Sequence, residues 1–91
     1  MTEKIKEYYE RLNKLRYSEE NIAELYSIIN GLISYLKALD NNPKTNKCLH
    51  FITLTRNKEF TFFEKAPKSN WEYNFKESKS NLIADLRHFC S

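Results

Sequence analysis

A chain of 91 residues, 41% of them hydrophobic and 30% charged, has the composition of one folded domain rather than of a disordered segment. A single glycine and two prolines exclude a glycine-rich phosphate cradle, and a formal charge of +3 is too modest to mark a nucleic-acid binder alone. The charge is unevenly spread: residues 1–40 carry six basic and seven acidic groups, residues 41–70 six and two.

From Thr2 to Arg16, Ile5, Tyr8, Leu12 and Leu15 recur at spacings of three and four among alternating charges, which predicts a first helix. The same texture does not read as a secretion signal. Ser18 to Asp40 predicts a second, longer helix around which the rest is organised. Ile22, Leu25, Ile29, Leu32, Leu36 and Leu39 form an unbroken heptad seam, flanked by Tyr26, Ile28, Ile33 and Tyr35. Ser18 is suited to cap its N-terminus. Asn30-Gly31 is a hairpin signal inside this stretch. The heptad phase nevertheless passes through it unbroken, and a helical glycine costs only about 1 kcal/mol, so the helix prevails. Gly31 then falls opposite the seam with Ala23, Ser27, Ser34 and Ala38, a face small enough for close approach of another element. The short break at Tyr17-Ser18 predicts an antiparallel helical hairpin; the same heptads would also serve a homodimer.

Asn41-Asn42-Pro43 stops the long helix. Beyond it the residues become β-branched and aromatic, which predicts a hairpin with strands at 48–55 and 59–65 around Arg56-Asn57-Lys58-Glu59. Trp71 to Lys76 alternates as a third strand would. Ser78 or Ser80 then caps a last helix with Leu82, Ile83, Leu86, Phe89 and Cys90 on one face. The expected fold is α+β, in the order ααβββα: a two-helix antiparallel hairpin, a three-stranded antiparallel β-meander and a C-terminal helix, forming one compact domain over residues 1–91.

Four residues could make a zinc set: Cys48, His50, His88 and Cys90. Residues i and i+2 share a face on a strand, so Cys48 and His50 could ligate together, whereas His88 and Cys90 on a helix diverge. The spacing matches no usual structural zinc pattern, and the expectation is no metal, no cofactor and two reduced, buried thiols in a cytoplasmic protein, the host cytoplasm if phage-encoded; a Cys48–Cys90 disulfide is the alternative if the last helix covers the sheet. No membrane span is expected, since Glu24, Asn30 and Lys37 interrupt the longest apolar run. Catalysis is not expected either. The weaker enzymatic option is a metal-independent ribonuclease of the size of small basic α+β toxins, with His50 and His88 as acid and base and Arg56, Lys58 or Arg87 on a phosphate.

The meander offers the more informative surface. By strand parity Phe51, Phe60 and Phe62 share one face, bordered by Lys44, Lys47, Arg56, Lys58, Lys65 and Lys68. Rings and cations together suit base stacking with phosphate neutralisation, or an aromatic anchor with a basic rim. The candidate partner-binding residues are therefore Arg56, Lys58, Phe60, Phe62, Phe51, Lys65 and Lys68. In order of elements only, the chain resembles sheet-reading DNA domains and double-stranded-RNA-binding domains.

Valine and glutamine are absent while Lys, Asn, Ile, Phe and Tyr abound, a bias toward A/T-rich codons found in many phages and plasmids. The expected function is a small non-catalytic module that binds and inhibits or modulates a larger macromolecule, an anti-defence (anti-CRISPR-like) protein being its sharpest form. A protein or nucleoprotein partner is preferred to free nucleic acid. The alternative is a nucleic-acid-binding domain built on the basic hairpin.

Overall fold

The computed structural model describes residues 2–39 and 43–89; within these, the side chains at 59–62 and 89 are not described. Four α-helices follow one another: α1 (Glu3–Lys14), α2 (Glu19–Ala38), α3 (Pro43–Lys65) and α4 (Trp71–Phe89), with a 3-10 turn at Lys68–Asn70. They pack in a ring, α1 on α2, α2 on α3, α3 on α4 and α4 back on α1, as an antiparallel bundle 40 Å long and 23 by 19 Å across.

The first two helices form where the periodicity places them. Thr2 caps α1, its hydroxyl oxygen accepting from the Ile5 amide at 3.3 Å. Ser18 caps α2, accepting from the Asn21 amide at 3.1 Å. Arg11 meets Glu24 at 2.6 Å and the Tyr35 hydroxyl donates to Thr2 at 3.1 Å, which sets the two helices antiparallel. Leu25, Ile28, Ile29, Leu32, Ile33 and Leu36 of α2 are buried, while Ile22 and Leu39 at its ends are half-buried. Asn30-Gly31 lies mid-helix, with no positive-φ residue among those described. At Gly31 the Tyr8 side chain of α1 packs close: a Cβ there would stand 2.6 Å from the Tyr8 hydroxyl. Its companions Ala23, Ser27, Ser34 and Ala38 face solvent.

The α+β expectation is wrong. No strand occurs among the described residues, and the predicted hairpin is one continuous helix, α3. Its core face reads Cys48, Ile52, Thr55 and Phe63, a helical spacing. β-Branched and aromatic residues disfavour a helix by only tenths of a kcal/mol each, less than burial of one such side chain returns. Proline marks both limits: Pro43 opens the first turn, and Ala66 before Pro67 cannot continue the helix.

The predicted third strand and the cap at Ser78 also fail, because α4 starts at Trp71. Positions two apart on a helix diverge by about 200°, which explains why Phe75 is buried and Tyr73 is 69% exposed. Ser78 is fully buried within the seam of α4, between Phe75 and Leu82, and its hydroxyl donates to the Asn74 carbonyl oxygen. The Lys79 ammonium donates to the Asn13 and Leu15 carbonyl oxygens, at 3.2 and 2.8 Å, and Arg87 Nε donates to the Tyr9 hydroxyl at 2.8 Å. These contacts fasten α4 to α1. Across the other interface Thr55 Oγ1 donates to Asp85 Oδ2 at 2.9 Å.

Cys48 is buried and disulfide-bonded, so the expectation of reduced thiols is not met. Cys90, the only other cysteine of the sequence, lies outside the described residues. Among the described residues no helix is long and apolar enough to cross a membrane.

Candidate interaction surface

Residues 43–58 contain Lys44, Lys47, Arg56 and Lys58 and no acidic side chain, and winding them into a helix sorts these cations. Lys44, Lys47, His50, Lys58 and Lys65 are all exposed and recur at spacings that keep them on the outer side of α3. From Lys44 to Lys65 the stripe is roughly 31 Å long at 1.5 Å per residue. Leu54 sits among the cations, 49% exposed. Acidic residues occupy the first turns of α1, α2 and α4, where they complement the helix dipole, but α3 has none in its first turn. Lys44 stands in that first turn, where a cation opposes the dipole.

The partner-binding set named from the sequence divides accordingly. Lys58 and Lys65 lie on the exposed stripe, whereas Arg56 is half-buried on the flank of α3 that turns toward the core. Phe51 is half-buried and meets the His50 ring edge-to-face, with centroids 5.4 Å apart. The side chains of Phe60 and Phe62 lie outside the described residues. The face that strand parity assigned to Phe51, Phe60 and Phe62 does not exist on a helix, where positions 60 and 62 diverge by about 200°. Lys68, on the 3-10 turn, meets Glu19 Oε1 at 2.6 Å and stands over the Trp71 ring, 5.9 Å from its centroid. The hydrogen bond to Glu19, and then its charge, hold the Lys68 pKa above the usual lysine value.

The metal set is dismantled by the same change of geometry. On α3, Cys48 points into the core and His50 to solvent, and the disulfide removes the Cys48 thiolate. His88 is exposed near the end of α4. No group of three or more metal-ligating side chains occurs among the described residues. One carboxyl is perturbed: burial raises the Asp85 pKa, with the Thr55 hydrogen bond and then the charge of His88 pulling it back. That pair sits in the α3–α4 interface and does not open on a hollow described below.

Two surface hollows flank the end of the bundle that holds the α1–α2 and α3–α4 connections. One, of about 340 Å³, lies between the end of α1 and α4, over Tyr17 and Phe75, with Arg16, Lys76 and Glu72 at its margin. Its remaining cation, Lys79, is engaged by the α1 carbonyls. The other, an open depression of about 290 Å³, is lined by Glu19, Ile22, Ala23, Tyr26, Phe63 and Trp71. Sequence reasoning missed the second entirely, because its walls come from three helices and no spacing links them. Comparison with family models, with curated proteins and with solved structures found no match.

Proposed function

We propose that this protein is a non-catalytic interaction module that docks the outer face of α3 onto an acidic surface of a larger macromolecule, a protein or nucleoprotein, and modulates it by occupying that surface. The observation that supports this reading is the stripe Lys44, Lys47, His50, Lys58 and Lys65, exposed along one helix whose N-terminal half carries no acidic residue. Lys44 in the first turn opposes the helix dipole, and exposed cations along the stripe accelerate encounter with an anionic partner. Exposed Leu54 supplies an apolar contact inside the charged field. The A/T-rich-codon bias supports an inhibitor carried by a phage or mobile element.

A nucleic-acid partner is the second reading, and the length of the basic stripe along one helix favours it. It retains only phosphate contacts, since the predicted stacking platform of a sheet is gone.

The test is capture from a host lysate with the native chain and with Lys44→Glu/Lys65→Glu, two exposed positions of the stripe, before and after nuclease treatment. The expected result is a defined partner that survives nuclease and is lost with the double variant, whose melting temperature stays within a few degrees of native. Loss of the partner on nuclease treatment, with affinity falling steeply with salt, would select the second reading. An unchanged partner set with the double variant would refute both.

A further inference from the structure

We infer that the hollow between α2, α3 and α4 is an aromatic cage for an alkylated ammonium cation. Three rings line it. Tyr26 and Phe63 stand nearly perpendicular, 83° between planes with centroids 5.8 Å apart, and so form two walls of a corner. Trp71 is the third wall, fixed by its indole N–H, which donates to the Ala66 carbonyl oxygen at 3.3 Å. Ile22 and the small Ala23 leave the floor shallow and apolar, and Glu19 places one carboxylate at the edge. The volume of about 290 Å³ lies at the small end of ligand pockets and accommodates a head group rather than a drug-sized molecule.

The chain itself shows that a cation is at home here. The Lys68 ammonium, from the adjoining turn, is held between Glu19 at 2.6 Å and the Trp71 face at 5.9 Å. Lys68 does not enter the hollow: a primary ammonium is compact and strongly hydrated, and at the rim it keeps its water. A trimethylammonium group spreads the same charge over methyl groups and loses less hydration on entering an apolar box. Ring faces attract such a cation within about 6 Å of their centroids. Rings at right angles, a single carboxylate and an apolar floor thus select a methylated ammonium over both a free lysine and a neutral hydrocarbon. The cation could be carried by a small molecule such as choline or by a trimethylated lysine of a protein; the recognition chemistry is shared.

Trp71 is the only tryptophan, so intrinsic fluorescence reads the site directly. The full chain is titrated with choline, with its neutral isostere 3,3-dimethylbutan-1-ol, and with a short peptide containing trimethyl-lysine. Saturable fluorescence change with choline or the peptide, at least about fivefold tighter than with the neutral isostere, is expected from a cation–ring interaction of about 1 kcal/mol or more. Whichever of the two binds more tightly identifies the carrier. Lys68→Ala should tighten binding by releasing Glu19, and Glu19→Gln should weaken it; both residues are exposed and outside the core, and circular dichroism verifies the fold. No saturable change with any cation, equal binding of the neutral isostere, or weaker binding by Lys68→Ala would overturn the proposal.

Discussion

The seam of α2 and the seam joining α3 to α4 bury comparable lengths of helix by different means. In α2 every fully buried position is aliphatic: Leu25, Ile28, Ile29 and Leu32. The α3–α4 pair places Thr55 and Ser78 among its buried positions, and each must find its hydrogen bond inside the protein. Ser78 does so on its own helix, through the Asn74 carbonyl, while Thr55 reaches across to Asp85. An aliphatic seam is held by buried area and the fit of interdigitated side chains, with no directional bond inside it. A hydroxyl donating to one carboxylate on the neighbouring helix fixes a single register, at the cost of keeping a carboxylate partly out of water.

Substitution can break each side of that contrast. Leu32→Ala should have the largest effect, destabilising the protein by about 2–5 kcal/mol in urea denaturation, since a fully buried site surrounded by other aliphatics cannot collapse around the loss. A stable Leu32→Ala protein would show that α2 does not hold the bundle together. Thr55→Val keeps the volume but removes a donor from Asp85, and should cost about 1–2 kcal/mol. A double-mutant cycle of Thr55→Val with Asp85→Asn should show that the two effects are not additive.

Asp85 also makes the α3–α4 side sensitive to pH. Burial raises its folded pKa above the unfolded value, so the folded state holds the proton more tightly. The sign follows: this group's contribution favours folding most below the unfolded carboxylate pKa and is lost as pH rises through the folded pKa. Asp85→Asn should therefore raise the melting temperature at neutral pH, with the advantage shrinking as the pH falls through the carboxylate range. A constant difference across that range would exclude titration of Asp85 as its source.

The smallest effect sharpens the α2 side. Gly31→Ala gains up to about 1 kcal/mol of helix propensity but requires the Tyr8 hydroxyl, 2.6 Å from the new methyl, to move. Alone it should fall within about 0.5 kcal/mol of the native protein. In a Tyr8→Ala background, where the Tyr8 ring no longer opposes the methyl, the same change should stabilise by most of that ~1 kcal/mol.

The same contrast explains what was legible in the sequence. The α2 seam is apolar at each turn, so its period is visible even across Asn30-Gly31. In α3 the core positions Cys48, Ile52, Thr55 and Phe63 include a hydroxyl, and the outer face carries the apolar Leu54, so helical periodicity was blurred from both sides. In α4, Ser78 interrupts Trp71, Phe75, Leu82 and Leu86, while Trp71, Tyr73 and Phe75 imitate the alternation of a strand. A buried serine satisfied by its own helix leaves no trace in composition. The basic bias of residues 41–70 was legible, but its sorting onto one face depended on the helix that was missed. The aromatic hollow depended on tertiary packing alone.

The bond from Lys79 to the last carbonyls of α1 bears on the order in which the chain can fold. Its two hydrogen bonds span 66 and 64 residues, and the Arg87–Tyr9 contact spans 78. A helix cannot satisfy those terminal carbonyls by itself. During synthesis α1 can therefore pair with α2 early, yet its C-terminal end waits for a lysine made some sixty residues later. Closing the ring of helices is a long-range event whose loop entropy is met before its contacts form. Refolding should then show α2 and α3 protected from amide exchange before the end of α1, although α1 leaves the ribosome first.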